Sequence, residues 1–294
     1  MPKVGYVAII GRPNVGKSTL LNALVGEKLA GISPKPQTTR GPIRGILTEK
    51  PGQIIFVDTA GLHEPRDLLG KWMVGEAEKV LSDVDLIVWM VLPKKPAQQD
   101  QKILELIQSL KKTTILIINQ IDYYPKPEVL PVIEHYRNRY AFKEIIPISA
   151  KQNIQLDTLL KTIYESLPEG QLLFPKDQIS DQQERSLVEE ILREKVFHQL
   201  GEELPYSTAI QIERFHERED GLSEIHASVI VEKDSQKAIV IGKRGSKLKE
   251  IGQKAREDIE KLLRRKVFLK LWVKTLKNWK RDENQIRKLG YDLK

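Results

Sequence analysis

Gly11-Arg12-Pro13-Asn14-Val15-Gly16-Lys17-Ser18 is the stretch that decides the fold. It satisfies G-x-x-x-x-G-K-[ST], and each fixed position has a mechanical reason. Gly11 and Gly16 permit a tight turn that points successive backbone N–H groups at phosphate oxygens. Lys17 brings a fixed positive charge to the terminal phosphates, and Ser18 offers a hydroxyl to Mg²⁺. Asn14, Val15 and Thr19 complete the residues expected around the phosphates. Val4 to Ile10 is a short apolar run and predicts a buried strand. Ser18 to Val25 predicts the first turns of a helix. Strand, glycine loop and helix together place an anion at a helix N-terminus, where the dipole favours it.

Working outward, four further apolar runs follow: Gln53–Val57, Asp85–Val91, Thr114–Ile118 and Glu144–Ile148. Helical patterns lie between them, around Gly70–Leu81, Gln98–Leu110, Pro127–Tyr140 and Leu156–Ser166. Near-continuous apolar strands alternating with helices predict an α/β fold, a doubly wound and mostly parallel sheet covered on both faces. Residues 1–168 form this domain, and residues 169–180, with two prolines and a glycine around them, are expected to be a linker. Residues 181–294 form a second, smaller α+β domain ordered helix, strand, strand, helix, helix, strand. Trp272 alternates within its last strand and is assigned to the core rather than to a stacking surface, whereas Trp279 fits either role.

The loops after the strands specify the ligand. Asp58-Thr59-Ala60-Gly61 follows the second run, where Asp58 can hold Mg²⁺ through water and the Gly61 N–H can approach a terminal phosphate. Asn119-Gln120-Ile121-Asp122 follows the fourth run. A carboxylate at Asp122 can accept from both N1–H and the exocyclic amine of guanine, a donor pair adenine lacks, so GTP and GDP are the expected ligands. Asn119 would tie this loop to the phosphate loop, and in Ser149-Ala150-Lys151 the Ala150 N–H can meet the guanine carbonyl. The polar segment Pro34–Gly41 lies between the first helix and the second run. A threonine there reaching Mg²⁺ only beside a third phosphate would make it a nucleotide-sensing switch, with Thr39 favoured and Thr38 the alternative. Leu62 stands immediately after Gly61, where a water-orienting Gln is often found, so intrinsic hydrolysis is expected to be slow.

The chain has no cysteine, which excludes disulfides, thiolate metal sites and thiol nucleophiles. The first residues enter a strand at once and no apolar run reaches about 20 residues, so a cytoplasmic protein is expected. The net charge of +8 is uneven: Lys243 to Arg281 holds 15 Lys and Arg against 4 Asp and Glu, a local +11, leaving about −3 elsewhere. Such asymmetry points to a polyanionic partner, nucleic acid or an anionic membrane surface. Within this stretch Gly242-Lys243-Arg244-Gly245 lies between two predicted helices, followed by Ser246 and Lys247. Two glycines let a single-stranded backbone lie close over the loop, with Lys243 and Arg244 at its edge.

The ordered set of loops, with Asn14 and Gln37-Thr38-Thr39-Arg40, resembles the translation-factor-related GTPases. The basic second domain resembles a prokaryotic-type KH domain, and the whole chain resembles the Era family of GTPases. The resemblance implies a small-subunit ribosome assembly factor whose KH domain binds the 3′ end of the small-subunit ribosomal RNA under control of GTP. It also implies a monomer with peripheral association at the inner membrane. In that family an Asn at the position of Asn14 helps hold a K⁺ beside the phosphates, which implies K⁺-stimulated attack of water. The family usually has Lys where this chain has Gln120, which implies modest nucleotide affinity. The alternative is an RNA-binding assembly factor with a weak or vestigial nucleotide response.

Overall fold

The computed structural model describes every residue except 63, 66, 202 and 292–294, so the last three residues of the predicted second domain lie outside it. The chain forms two compact units. The first holds residues 1–30, 39–64 and 73–181; the second holds residues 31–38, 65–72 and 182–294.

In the first unit, β1 (Lys3–Gly11) leads through the glycine loop into α1 (Lys17–Val25). β2 (Ile43–Glu49) and β3 (Gly52–Asp58) form a hairpin, followed by α2 (Leu68–Asp83), whose first five residues belong to the second unit, and β4 (Leu86–Val91). Then come α3 (Gln98–Leu110), β5 (Thr114–Ile118), α4 (Lys126–Arg137), β6 (Ile145–Pro147) and α5 (Leu156–Ser166). The six strands order as β2-β3-β1-β4-β5-β6, all parallel except β2 against β3. Every residue of β3, β4 and β5 is buried, as strands covered on both faces must be. The core beside β4 and β5 gathers Trp89, Leu81, Ile107, Leu116, Ile118 and Tyr136. Five strands were expected and six are present among the described residues. The additional β2 is an edge strand with a half-polar sequence, Ile-Arg-Gly-Ile-Leu-Thr-Glu, and therefore carries no apolar run.

Residues 169–180 form no helix or strand, yet they are strapped to the first unit rather than left as a free tether. The buried Gln53 side chain accepts from the N–H groups of Leu173 (2.9 Å) and Phe174 (3.0 Å) and donates to the Phe174 carbonyl (2.9 Å). The Ile46 N–H donates to the Ile179 carbonyl at 2.8 Å.

The second unit contains α6 (Glu184–Gln199), β7 (Ala209–Glu217), β8 (Ser223–Val231), α7 (Asp234–Ile241), α8 (Ser246–Leu263), β9 (Val267–Thr275) and α9 (Glu283–Lys288). β7 runs antiparallel and β9 parallel to the central β8. One sheet face packs on the helices through Ile210, Ile225, Val229, Val273, Ile251 and Ile259. Trp272 is not core. Val267 and Val273 point inward, so period-two alternation sends Phe268, Lys270, Trp272 and Lys274 to the opposite face. Trp279 is fully buried, and its Nε1 donates to the Ser207 carbonyl at 3.2 Å. Segment 31–38 is held on α6: the Ile32 N–H donates to Glu194 Oε2 at 3.2 Å, and His198 Nε2 lies 2.8 Å from the Ile32 carbonyl. Segment 65–72 is held by Lys280 on Asp67 at 3.4 Å and by Trp72 edge-on to Tyr291 at 5.1 Å.

Candidate nucleotide site and nucleic-acid loop

The nucleotide-site residues converge at the carboxyl edge of the first sheet, where an open parallel sheet places ligands. Gly11 (φ +151°) and Gly16 (φ +106°) both adopt backbone conformations that side chains resist. A Cβ on Gly16 would stand 2.3 Å from Asn119 Nδ2, and one on Gly11 would stand 2.4 Å from the Met90 carbonyl oxygen. Asn14 is exposed at the loop tip in the left-handed region (φ 64°). The buried Lys17 ammonium donates to the carbonyls of Gly11 (3.3 Å) and Arg12 (3.1 Å), spanning the loop it serves.

Three hard oxygen donors meet beside it. Ser18 Oγ donates to Asp58 Oδ2 at 2.6 Å and lies 3.0 Å from Thr39 Oγ1, which is 3.4 Å from the same carboxylate oxygen. Asp58 is fully buried, and its Oδ1 has no hydrogen-bond partner among the described residues. A carboxylate, two hydroxyls and an unsatisfied buried carboxylate oxygen suit a small hard cation that keeps waters and phosphate among its ligands, so the residues fit Mg²⁺. Among the described residues no group of three His, Cys, Asp or Glu forms a cage that would bind a metal unaided. Thr39 joins this cluster, whereas the Thr38 hydroxyl donates to the Lys35 carbonyl at 3.0 Å. Burial pushes the Asp58 carboxyl above its ordinary range, opposed by Lys17 and by hydrogen bonds from Ser18 and Thr39. Burial likewise lowers Lys17, opposed by Asp58. Each group would gain from more opposite charge.

Gly61 brings its loop against the phosphate loop, since a Cβ there would stand 2.7 Å from Pro13 N. Leu62 is turned into the core and offers no group to a water.

Asn119 joins three loops. Its Nδ2 donates to the Val15 carbonyl at 2.8 Å, and its Oδ1 accepts the Ala150 N–H at 3.0 Å. That second bond turns the Ala150 N–H, the donor expected for the guanine carbonyl, toward Asn119. Ser149 is buried, and its Oγ accepts the Gln152 N–H at 3.1 Å. Asp122 and Lys151 are exposed at the same edge, and Gln120 turns through the left-handed region (φ 69°). Val15 is buried under the loop, while Thr19 is half-buried in the first turn of α1.

Sequence reasoning missed Asp100. This buried carboxylate accepts Arg12 Nε at 2.8 Å and the Ala97 N–H at 2.9 Å, anchoring the phosphate loop to the start of α3. Its place three residues after Ala97 marks it as a helix cap, but nothing local in the sequence marks it as a partner of Arg12.

In the second unit, Gly242 (φ 73°), Arg244 (φ 52°) and Gly245 (φ 77°) form the turn between α7 and α8. A Cβ on Gly242 would stand 2.7 Å from Lys247 Cβ. Lys243, Arg244 and Ser246 line the turn, and Ser246 opens α8, so the turn presents two cations beside the positive end of a long helix. Exposed Ile239 supplies apolar surface just before the turn, a contribution its sequence context did not mark.

A phosphate-loop nucleotide site of this design, followed by a glycine-turn helix pair on a three-stranded sheet, defines the class: a GTPase joined to a KH domain. Comparison bears this out. The family described as 50S ribosome-binding GTPase matches residues 6–120, and the KH domain family matches residues 203–280. GTPase Era of Geobacter metallireducens is 47% identical over 98% of this chain and 97% of its own length. GTPase Era of Clostridium tetani is 47% identical over 99% of each. A structure of Era in complex with MgGDPNP and nucleotides 1506–1542 of 16S ribosomal RNA superposes with a TM-score of 0.95, at 43% identity, covering 100% of both chains. A point variant of Aquifex aeolicus Era bound to GDP·AlF4⁻ gives 0.94 at 43% identity, over 99% of this chain and 100% of that one. The chain belongs to the Era family of GTPases.

Proposed function

We propose that this chain is a GTP-hydrolysing switch that binds single-stranded RNA at the 3′ end of the small-subunit ribosomal RNA, in 30S subunit assembly. One observation supports it most. Residues 31–38, which lead directly into Thr39, are built into the same unit as the Gly-Lys-Arg-Gly turn. Thr39 therefore adjoins a segment that belongs to the unit carrying the turn.

The geometry supports the following roles. The loop from Gly11 to Thr19 cradles the phosphates, with Lys17 at the terminal ones. Ser18 and Thr39 would ligate Mg²⁺ through their hydroxyls, Asp58 through water, and Gly61 would sense the third phosphate. When bound, Mg²⁺ neutralises charge on the β- and γ-phosphates. Asp122 reads the guanine edge, and the Gln120 stem covers part of the purine. Asn119 keeps the base loops and the phosphate loop in register. Water attacks directly, with no covalent intermediate and no help from Leu62. The Asn14 side chain, at the exposed loop tip, would hold K⁺ beside the phosphates and raise the slow intrinsic rate. Gly242, Lys243, Arg244, Gly245, Ser246 and Lys247 would clamp the RNA backbone.

The protein acts as a cytoplasmic monomer, peripherally attached to the inner face of the membrane through its basic second unit. The +11 stretch supports such surface binding, and among the described residues no helix is long and apolar enough to cross a membrane.

Filter binding to single-stranded RNA of the ribosomal 3′ end tests the reading. Affinity should be higher with a non-hydrolysable GTP analogue than with GDP. Gly242→Asp, or Lys243→Glu with Arg244→Glu, should abolish binding while basal GTP hydrolysis continues. Unaltered RNA affinity in these variants refutes the site.

A further inference from the structure

The outward face of the second unit's sheet carries a feature that the glycine turn does not use. Phe268, Lys270, Trp272 and Lys274 leave β9 on this face, and Phe268 is 46% exposed. His226 stands on the neighbouring β8, opposite Lys270 in the register. It meets Trp272 edge-on at 5.3 Å and 84°, and Phe268 at 6.3 Å and 64°. The three rings therefore form a continuous aromatic strip on a rigid sheet. Phe268 and Trp272 are four residues apart, about 13 Å along the strand.

The strip is basic. The Lys270 ammonium lies 5.0 Å from the Trp272 ring centre, and the Arg218 guanidinium 6.0 Å from that of Phe268. A bulge in β7 between Ile212 and Arg214 puts both Glu213 and Arg214 on this face. Four cations (Arg214, Arg218, Lys270, Lys274) thus face two carboxylates, and both carboxylates are already matched. Glu224 pairs with Arg218 at 2.7 Å and Arg214 at 3.4 Å and lies 3.0 Å from His226; Glu213 pairs with Lys274 at 2.5 Å. Lys270 contacts a ring and no carboxylate among the described residues.

From this we infer that the open sheet face is a second RNA-binding surface, on which Phe268 and Trp272 stack unpaired bases while Lys270 and the arginines meet the phosphates. An exposed Phe268 and a half-buried Trp272 on an open sheet can take bases in this way because every base has a π-face, and the cations supply the charge complement. The inference rests on the RNA-binding reading above and extends it: an RNA longer than the glycine turn can clamp would continue onto this face.

The test uses the full chain and two single-stranded RNAs. One has the sequence of nucleotides 1506–1542 of 16S ribosomal RNA. The other has about eight nucleotides from its 3′ end, twice what a Gly-x-x-Gly turn clamps. Phe268→Ala with Trp272→Ala should weaken the long RNA about ten-fold or more and leave the short one within about two-fold. GTP hydrolysis should be unchanged, and Trp272→Phe should restore most of the lost affinity. A 4-thiouridine-substituted long RNA should crosslink within residues 267–275. Should the double variant fail to fold, Lys270→Glu on the exposed rim carries the same comparison. Wild-type affinity for the long RNA in these variants overturns the platform. If Gly242→Asp nevertheless loses both RNAs, the RNA-binding reading stands without it. If the wild-type chain binds neither RNA, both fall together.

Discussion

The Lys35 side chain donates from Nζ to the Phe197 carbonyl at 2.5 Å, and to the Leu200 carbonyl beside it, so a residue four positions before Thr39 caps the C-terminal end of α6. A cation there satisfies carbonyls left over at the helix end and meets the negative end of the dipole. Segment 31–38 is thereby part of the second unit by hydrogen bonding as well as by proximity. Lys35→Ala should cost about 1 kcal/mol of stability. Its larger effect should fall on coupling. The ratio of RNA affinities in the GTP-analogue and GDP states should move toward one, while GTP affinity itself changes little. A ratio equal to that of the wild type would show that this anchor carries no signal.

Asp58 should limit the stability of the nucleotide-free protein. Burial holds its carboxyl above the ordinary value of 3.8, so the folded chain binds this proton more readily than the unfolded one. Stability therefore falls as pH rises from that value through the folded-state pKa, and the whole cost is present above it. Asp58→Asn removes the charge. The variant should lose the wild type's fall in stability as pH rises above the ordinary value of 3.8, while leaving the buried Lys17 without its counter-charge. It should also lose Mg²⁺-dependent GTP affinity. Calorimetric melting across pH measures the first effect; a difference that grows on acidification would contradict the stated cause.

The base site offers a gain-of-function test. Gln120 turns at φ 69° with a stem shorter in reach than that of lysine, and Asp122 is exposed two residues further on. Gln120→Lys should tighten GTP and GDP binding several-fold by covering more of the purine with its methylenes. Asp122→Asn should weaken guanine nucleotides at least ten-fold, because a charged acceptor for two donors is lost. Fluorescent-analogue titrations of both variants decide this. No change in either would place the base elsewhere.

The nucleotide site was legible because its chemistry is local. Gly11 to Ser18, Asp58 to Gly61 and Asn119 to Asp122 each sit in one short loop after an apolar strand, and the parallel sheet brings those strand ends together. What escaped depends on partners distant in sequence. Arg12 and Asp100 are 88 residues apart, and Gln53 captures Phe174 of the expected linker from 121 residues away. The edge strand β2 escaped because one covered face needs only alternate apolar residues. Trp272 was misplaced because alternation alone does not say which set points inward; Val267 and Val273 decide it once the helices are seen on their side.

Leu62 sends the last question back to the phosphate loop. With that side chain in the core, no residue immediately after Gly61 can orient the attacking water. On the proposed reading, charge compensation comes from the loop's own edge, where Asn14 is exposed in a left-handed turn. A monovalent cation held there would act where other GTPases use an arginine. Turnover should be about ten-fold faster in KCl than in NaCl at equal ionic strength, an increase worth about 1.4 kcal/mol of barrier. Asn14→Ala should remove the difference between the salts while GTP affinity stays within a few-fold of wild type. Equal rates in the two salts, or a K⁺ response that survives the substitution, would leave Asn14 as a turn residue and nothing more.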